Sequence, residues 1–416
     1  PTAPRRAGRI SGWEEFVEPA RDCSLFWHNI WNECGRPREG VLAQIMRKTR
    51  ASYHYAIRRT RKNEQQIINE RFATALLENN SRNLWGEVKR MRRTTASCVG
   101  IVDGLSSAGD IANLFSSQYQ DLYVSVAYNE CEMSDIRSDI TDLISEFNCD
   151  CIGSSEVHKA MLKLKPGKRD GSVELVSDHF INACSELAVH ISMLFSALIV
   201  HGFAPADMLS STVIPIPKGR NINKSDSTNY RGITLSSIFG KLLDLVILSR
   251  YGDKLIASDY QFGFRANRST DMCTMVLKEA ISYYVNNGSS VYCSFLDATK
   301  AFDRVEYCKL FRQLLSRKLP PAVVRLLLNF YVGHVTRVEW NGIRSASFSV
   351  YNGVKQGGII SPILFCVYID GLLRLLSELK IGCNIGNVFV GILAYADDIV
   401  LLAPTAIEEI VRSMPG

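Results

Sequence analysis

Three aspartates in two strand-like segments carry the strongest chemical signal in this chain. Asp397 and Asp398 are adjacent in GILAYADDIVLLA, and Asp297 closes the apolar run of VYCSFLDA, 100 residues earlier. If the two strands are neighbours in one sheet, three carboxylates meet at one edge and repel one another unless cations neutralise them. Carboxylate oxygens suit Mg²⁺ that is bound jointly by protein and substrate phosphates. Two such ions, about 3.5–4 Å apart, are the standard arrangement for in-line displacement at phosphorus.

The residues around the Asp397-Asp398 pair decide between a site and an ordinary turn. Aspartate is common in turns, so an isolated pair would say little. Here apolar residues on both sides predict a hairpin whose tip is buried among hydrophobic strands. Unpaired carboxylates at a buried tip would cost on the order of several kcal/mol, so they imply a counter-ion. We therefore predict a divalent metal site.

The elements that must position these carboxylates are strands interleaved with helices. The prolines of STVIPIPKG predict an edge strand, because proline cannot donate to a sheet ladder. Asn341-Gly342 predicts a tight hairpin within TRVEWNGIRSASFSV. IISPILFCVYIDGLLRLLSEL predicts a buried helix, and VFVGILAYADDIVLLA predicts a closing hairpin. This pattern indicates an α+β fold in which helices pack on one face of a mixed sheet.

The basic charge of the chain is concentrated in one segment. The net charge is +6, but residues 41–93 contain 13 Lys and Arg against 4 Asp and Glu. That local charge of +9 leaves −3 for the remainder. Helical apolar spacing in this segment predicts either a solvated helical face or one that contacts phosphates. Tyr53 and Tyr55 among the charges favour phosphate and base contacts. Residues 94–150 turn acidic and predict one or two further helices.

Composition excludes several other classes of protein. Hydrophobic residues make up 46% of the 416 positions, which is typical of globular domains. No apolar run reaches the roughly 18 residues that a membrane-spanning helix needs, so we expect no membrane partner. The 12 cysteines contain no CxxC pair, which disfavours a zinc site. Reduced thiols in an intracellular protein are the better interpretation.

Several blocks, in this order, resemble the reverse transcriptases of non-LTR retrotransposons, the LINE-type and jockey-like elements. FLDATKAFD, NGVKQGGIISPILFCVYID and YADD are similar to the palm motifs of that family. LKPGKRDG, VIPIPKG with NYRGITLSSIFGKLLD, and QFGFRANRST resemble its fingers motifs. The resemblance covers about residues 150–404 and extends more weakly, through a basic lead-in, back to about residue 35.

The resemblance implies a right-hand polymerase fold with fingers and palm. The palm would be a ferredoxin-like antiparallel sheet with helices on one face. Residues 1–40 would be a connector from an absent upstream domain, and residues 41–150 a helical extension, basic and then acidic. Residues 151–290 would form the fingers and the start of the palm, and residues 291–416 the palm with its catalytic motifs. Only 18 residues follow Asp398, so we expect the thumb to be missing. We also expect the upstream endonuclease domain that many relatives carry to be missing.

The resemblance also implies roles for single residues. Asp297, Asp397 and Asp398 would hold two Mg²⁺ ions, with Mn²⁺ as the alternative ion. The partners would be an RNA template, a DNA primer and deoxynucleoside triphosphates, handled in the cytoplasm and nucleus as a ribonucleoprotein. The residues expected to bind the incoming nucleotide are Lys218, Arg231, Ala298, Phe302, Gln356 and Gly357. Arg265 is expected to contact the template backbone, and Tyr395 to pack near the primer.

Some of these residues also have a plain structural interpretation. Phe302 matches an aromatic that excludes a ribose 2′-hydroxyl, and the alternative is plain core packing. Lys218 and Arg231 match positions that grip a triphosphate, yet either could be a solvated cation. Asp303 is expected to cap the following helix and not to bind metal. Gly232 replaces the proline that is usual in the family, and we expect it to loosen a turn.

Three functions remain open on the sequence alone. The first is an RNA-directed DNA polymerase of a mobile element, which adds deoxynucleotides to a primer 3′-hydroxyl by two-metal phosphoryl transfer. The second is a catalytically inactive RNA-binding fragment of the same fold, which would bind RNA in a salt-dependent manner without incorporation. The third is an intron maturase or another RNA-templated polymerase. Phe302 speaks against a polymerase of ribonucleotides, because it would exclude the 2′-hydroxyl.

Overall fold

The structure, a computed structural model, describes residues 12–77, 100–146, 151–170, 175–219 and 222–405. The chain divides into two compact units, Pro1–Cys98 and Val99–Gly416. Helices and strands are mixed along the chain, as the sequence predicts. None of the described helices is both long and apolar enough to cross a membrane.

The described elements of the first unit are all helical. Its elements are a π-helical turn Trp13–Val17 and the helices α1 Glu18–Glu33, α2 Val41–Lys62 and α3 Glu64–Leu77. Helix α1 packs along α2. The helices predicted for residues 41–93 are confirmed as far as Leu77, and the rest of that segment lies outside the described residues. Residues 13–33, which were assigned to a connector, are helical, with Pro19 in the first turn of α1 where no N–H is needed.

The second unit combines helices with two main sheets. Its longer helices are α4 Ala108–Leu122, α5 Glu130–Glu146, α6 Ser154–Lys163, α8 Ser185–His201, α10 Ile238–Tyr251, α11 Thr270–Asn286, α12 Tyr307–Ser316, α13 Pro321–Val332 and α14 Ser361–Glu378. Two short helices are α7 Ser177–Ile181 and α9 Ala206–Leu209, and single 3-10 turns cover Ser227–Asn229, Gly252–Leu255 and Ala301–Arg304.

The strands form two main sheets and one small hairpin. They are β1 Ser210–Pro217, β2 Tyr230–Ser236, β3 Tyr292–Asp297, β4 Val335–Trp340, β5 Ile343–Arg344, β6 Phe348–Ser349, β7 Asn384–Ile385, β8 Val388–Phe389, β9 Ile392–Tyr395 and β10 Asp398–Ala403. The first sheet has the order β2-β1-β4-β5, with β6 also on β4, and the second has the order β3-β10-β9. The predicted hairpin at Asn341-Gly342 joins β4 to β5, and both turn residues have positive φ.

Strand β1 is an edge strand only over the part that contains its prolines, so the prediction is correct for that part alone. It pairs with β2 over residues 211–217 and with β4, in parallel, over residues 210–213. Pro215 and Pro217 lie beyond the part that β4 covers. The strand is therefore internal at its start and an edge only at its end, where the prolines are tolerated.

The segment 101–146 belongs to the second unit, whereas the sequence groups residues 41–150 together. Its two helices, α4 and α5, match the one or two helices predicted there. Helix α4 lies on the first sheet, where Phe115 packs against Tyr230 and Trp340. Helix α5 packs against α12 and α13.

Helices cover both faces of the β3-β10-β9 sheet, and not one face as predicted. Ile399 and Leu401 of β10 share a core cluster with Leu373 of α14. Leu402 of the same strand shares a separate cluster with Ala280 of α11. The run IVLLA in β10 is apolar at successive positions, which is the pattern of a strand that is buried on both faces.

Candidate active site

The two strands that carry the predicted catalytic aspartates, β3 and β10, are neighbours in one sheet. Asp398 begins β10 and lies directly opposite Asp297, the last residue of β3, in an antiparallel pair. Directly opposite residues project to the same face, with Cβ atoms about 4.5–5.5 Å apart. The 100-residue separation in sequence is therefore closed by one step across the sheet.

Asp397 is held differently, because it lies outside the strand ladder. Tyr395 of β9 pairs with Asp398 of β10, so Ala396 and Asp397 form the two-residue turn between these strands. Ala396 is buried and has φ 59°, in the left-handed region. Tight hairpins favour such a backbone conformation, although a residue with a Cβ adopts it at a cost.

The three carboxylates are not buried, which corrects the expectation of a buried hairpin tip. Asp297 and Asp398 are exposed and Asp397 is partly exposed, whereas Ala396 beside them is 6% exposed. Within the described residues none of the three takes part in an ion pair. Two like charges directly opposite each other destabilise a sheet. No basic side chain of the described residues forms an ion pair that would offset this repulsion.

This donor set fits a hard divalent cation. All three side chains offer carboxylate oxygens, and exposure leaves room for water or phosphate oxygens to complete an octahedral shell. Within the described residues, one group of three potential ligands has its ligand atoms within 4.8 Å of one another, namely Glu132, Glu306 and Cys308. The three aspartates do not converge to that extent, as is expected of like charges without an ion between them.

Asp303 does not cap the helix that follows it, so this prediction is wrong. Helix α12 is capped by Glu306, whose carboxylate accepts a hydrogen bond from Cys308 N at 3.1 Å. Asp303 is 5% exposed and instead accepts a 2.7 Å hydrogen bond from Gln356 Nε2. Burial raises the pKa of Asp303 to about 6, and the bonds and charges of Gln356 and Lys300 oppose this rise.

Gln356 and Gly357 are attached to the free edge of strand β2. The backbone N–H of Thr234 donates a 2.7 Å hydrogen bond to the carbonyl of Gln356. Gly357 has φ 110°, and a Cβ placed on it would lie 3.0 Å from the Thr234 carbonyl oxygen. Only glycine combines this backbone conformation with this close approach. The loop is thereby fixed between the two sheets of the second unit.

Lys218 and Arg231 lie on the β1-β2 hairpin, in the other sheet from the aspartates. Both side chains are exposed. Arg231 is opposite Ile216, and Lys218 N bonds the carbonyl of Asn229 at 2.9 Å. Lys218 Nζ donates to Thr228 O at 2.8 Å. The structure joins this hairpin to the Gln356 loop through β2, but it brings neither cation into an ion pair with the three aspartates.

Phe302 lies in the 3-10 turn after β3 and is partly buried. Its ring stacks on that of Phe365 in α14, with centroids 4.3 Å apart, and Phe264 meets it edge-on at 6.2 Å. Its position thus combines core packing with an exposed side. Ala298, immediately after Asp297, is exposed.

Arg265 uses its donors within its own loop. Its guanidinium donates to Ser258 O at 2.7 Å and pairs with Asp259 at 3.2 Å, and its side chain is 22% exposed. Tyr395 is partly buried and packs beside the core cluster under α11. The guanidinium of Arg265 is therefore bonded within its own loop and does not extend away from it.

Two residues near the site were not predicted from the sequence. Gln261, in QFGFRANRST, is 0% exposed and bonds the backbone of Ala396. Asp244 of α10 accepts a 3.4 Å hydrogen bond from Ile360 N, at the start of α14, and burial raises its pKa to about 6. Neither has a local signal, since one is an amide in a loop and the other a single acid in an apolar helix.

Comparisons with known proteins agree with the motifs. Residues 222–415 match the family described as reverse transcriptase (RNA-dependent DNA polymerase). The chain is 29% identical over 215 residues to the retrovirus-related Pol polyprotein from type-1 retrotransposable element R2 of Nasonia vitripennis. This match covers 52% of this chain and 21% of that protein. It is 27% identical over 263 residues to the RNA-directed DNA polymerase from mobile element jockey of Drosophila funebris, covering 61% of this chain and 27% of that protein.

A longer match reaches further along the chain. The putative 115 kDa protein in type-1 retrotransposable element R1DM of Drosophila melanogaster is 26% identical over 326 residues, covering 76% of this chain and 29% of that protein. The matched part of this chain thus spans between 21% and 29% of the length of these three relatives.

Proposed function

Because residues 222–415 carry a reverse transcriptase domain similar to those of non-LTR retrotransposons, we propose that this chain is an RNA-directed DNA polymerase. It would add deoxynucleotides to a primer 3′-hydroxyl on an RNA template. The observation that carries the proposal is the register of Asp297 opposite Asp398, with Asp397 in the turn immediately before Asp398. A cluster of exposed, uncompensated carboxylates is unfavourable for folding and useful for binding cations.

The three aspartates would hold two divalent ions, which we take to be Mg²⁺. Enzymes of this family generally use divalent metals. Bound there, the ions would supply activation of the primer 3′-hydroxyl and neutralisation of the leaving pyrophosphate. The protein's own contribution is to fix Asp297 and Asp398 on a two-strand ladder, so that the charge is pre-organised before substrate arrives. The Ala298 carbonyl would be a further oxygen ligand.

The incoming nucleotide would lie against the Gln356 loop. Asp303 orients the Gln356 amide, and Gly357 allows close approach of backbone to the nucleotide. Arg231 and Lys218 project from the adjoining hairpin, where they would bind the triphosphate. Phe302 would meet the ribose with its exposed side, and the stack on Phe365 would keep its ring in place.

We assign the two sheets to the two parts of a right-hand polymerase. The β3-β10-β9 sheet, with the aspartates, corresponds to the palm, and the β2-β1-β4 sheet to the fingers. The β1-β4 pair is parallel, and the palm sheet has helices on both faces. The primer would pass near Tyr395 and the template near the loop of Arg265.

RNA would also contact the first unit. Helix α2 exposes Arg58, Arg59 and Arg61 on its last two turns, and no acidic side chain of the described residues pairs with them. Such a cationic helix binds phosphates in a salt-dependent manner. We further propose that the protein works as a ribonucleoprotein in the cytoplasm and nucleus, since its template would be the element's own RNA.

The test is primer extension on an RNA template with a DNA primer, deoxynucleotides and Mg²⁺. The variants are Asp297→Asn, Asp397→Asn and Asp398→Asn, which keep size and remove charge. Each is expected to lower incorporation by about 10²–10³-fold, since each metal-bound carboxylate supports several kcal/mol of charge stabilisation. Asp253→Asn, which removes an exposed carboxylate of the 3-10 turn Gly252–Leu255, serves as the control.

Three results would contradict the proposal. Wild-type protein that binds RNA with a steep salt dependence but incorporates nothing would instead indicate a non-catalytic RNA-binding protein. Incorporation that is unchanged in Asp397→Asn would remove the metal site. Incorporation of ribonucleotides in place of deoxynucleotides would point to an RNA-templated RNA polymerase.

A further inference from the structure

Gln261 is a buried amide that grips the turn beside the candidate metal site. Its Oε1 accepts hydrogen bonds from Ala396 N and Gly263 N, both at 2.8 Å. Its Nε2 donates to Ala396 O at 3.2 Å. One side chain thereby satisfies the N–H and the C=O of the same turn residue. The side chain is 0% exposed, so water does not compete for these bonds.

The backbone of this segment is already anchored without the side chain. Ala394 N donates to Tyr260 O and Phe262 N donates to Ala394 O, both at 2.8 Å, which forms a parallel bridge on strand β9. The side chain of Gln261 then reaches two residues further along the chain, to Ala396. Its bonds are therefore not needed to dock the loop, and their specific effect falls on the turn.

The turn is the part of the site that needs support. Ala396 has φ 59°, a conformation that costs a residue with a Cβ about 1–2 kcal/mol. Such strain persists only where the surroundings over-determine the backbone. Gly263 contributes to this, because a Cβ placed on it would collide with the backbone nitrogen of Ala396. The loop and the turn are in direct contact at this point.

We infer that Gln261 is a positioning residue that sets the direction in which Asp397 projects. The Ala396 carbonyl belongs to the planar peptide that leads into Asp397, so a hydrogen bond to it fixes the orientation of that peptide. Asp297 and Asp398 are held by the strand ladder, whereas Asp397 is not. Gln261 does for Asp397 what the ladder does for the other two. The inference rests on the proposed function, which makes Asp397 a metal ligand.

The competing explanation is that Gln261 only fills a polar gap in the core. In that case the loss of Gln261 would change stability, and cation binding would change only as far as the fold is lost. The two explanations separate when stability is restored without the amide. Ala396→Gly offers this, because glycine adopts a positive φ without strain.

The experiment measures Mn²⁺ binding to the full chain by electron paramagnetic resonance, without nucleotide or nucleic acid, and thermal unfolding of the same samples. The variants are Gln261→Met, Gln261→Met with Ala396→Gly, Asp397→Asn and Gln313→Met. Gln313 is the matched control, since its amide donates to Tyr368 O at 3.2 Å in the α12–α14 contact, away from the turn.

Gln261→Met is expected to weaken Mn²⁺ binding about tenfold, as loss of a residue that orients a ligand typically does. The double variant should recover the melting temperature but not the Mn²⁺ affinity, and Gln313→Met should bind within about twofold of wild type. Mn²⁺ affinity that follows the melting temperature, or that is unchanged in either Gln261 variant, would overturn the inference and leave the metal site standing. Wild-type affinity in Asp397→Asn would overturn the metal site itself, and with it the inference. If Gln261→Met does not fold, the double variant carries the same comparison.

Discussion

Gln356 Nε2 donates a 2.7 Å hydrogen bond to the buried carboxylate of Asp303, across 53 residues of sequence. The same Gln356 accepts, through its carbonyl, the N–H of Thr234 on strand β2. One residue is thus tied through its side chain to the turn after β3 and through its backbone to the hairpin that carries Arg231. This double attachment joins the proposed metal site to the proposed triphosphate site.

The first prediction concerns the dependence of stability on pH. Burial raises the pKa of Asp303 to about 6, above the value of about 4 in an unfolded chain. The folded state therefore holds this proton more tightly, and the free energy of unfolding should fall as pH rises from about 4 to about 6, then level off. In urea unfolding at several pH values, Asp303→Asn should reduce this fall by about 2–3 kcal/mol.

The control for this prediction is Asp244, the other carboxyl group whose pKa is raised to about 6. Burial also raises the pKa of Asp244 to about 6, so it contributes in the same pH range. Asp244 is unaltered in Asp303→Asn, and the difference between the two stability profiles isolates Asp303. Identical profiles would mean that Asp303 is ionised in the folded state without cost. Asparagine can still accept the bond from Gln356, so the loop should stay in place.

A second prediction concerns sugar selection by Phe302. Phe302→Val should raise the incorporation of ribonucleotides relative to deoxynucleotides by about 10- to 100-fold, because a smaller side chain leaves room for a 2′-hydroxyl. Single-nucleotide extension with each substrate measures the ratio. Phe264→Leu is the control, since Phe264 contacts the same ring edge-on, is 53% exposed and has a positive φ that a β-branched residue would strain. An unchanged ratio in Phe302→Val would leave only the packing role.

A third prediction concerns the exposed arginines of helix α2. Reversing Arg58, Arg59 and Arg61 to Glu should weaken RNA binding and lower the slope of log affinity against log salt by about 2, if each arginine neutralises one phosphate. Fluorescence anisotropy with a labelled single-stranded RNA at several salt concentrations measures both. The same reversal at Lys163, Lys309 and Lys380, all exposed in the second unit, is the control. Equal effects of the two sets would reduce the binding to net charge.

A fourth prediction explains the glycine in NYRGITL. Gly232 lies within strand β2, opposite Pro215, and not in the turn that the sequence suggested. A Cβ there would lie 2.8 Å from Val213 Cγ1 and 3.0 Å from Tyr119 Cζ of helix α4. Gly232→Ala should therefore destabilise the protein by about 1–3 kcal/mol in urea unfolding.

Gly240 provides the opposite expectation in the same experiment. It lies inside helix α10, and a Cβ there would meet nothing within 4 Å. Gly240→Ala should stabilise the protein by about 0.5–1 kcal/mol through helix propensity. Equal effects of the two substitutions would show that the contact with Tyr119 does not matter.

The parts of the fold that the sequence predicted well are those with a local signal. The apolar runs around Asp297 and Asp398 defined two strands, and Asn341-Gly342 defined a hairpin with positive φ at both residues. The bonds of Gln261 to Ala396 cross 135 residues, and nothing in either segment alone indicates them. Long-range side-chain contacts of this kind depend on how elements pack, which periodicity does not encode.

The errors have physical causes as well. Apolar flanks suggested that the aspartates were buried, but flanking residues turn inward on strands whose ends still reach solvent. Asp303 precedes the N-cap position of helix α12 by three residues; its carboxylate accepts a hydrogen bond from Gln356, and Glu306 caps the helix. Roles such as template contact by Arg265 remain predictions, since the guanidinium bonds its own loop.

The prolines at the end of β1 have a consequence for self-association. The N–H of Thr234 points away from β1 and donates to Gln356. Thr234 is paired with Val213, so the backbone nitrogen of Val213 points away from β2. By alternation along the strand, the nitrogens of Pro215 and Pro217 also point away from β2. Those nitrogens face the side that β4 no longer covers. An incoming strand would find no N–H donors at these positions, so pairing along this part of β1 would lack those ladder hydrogen bonds. The prolines therefore disfavour extension of the sheet by another molecule at this edge.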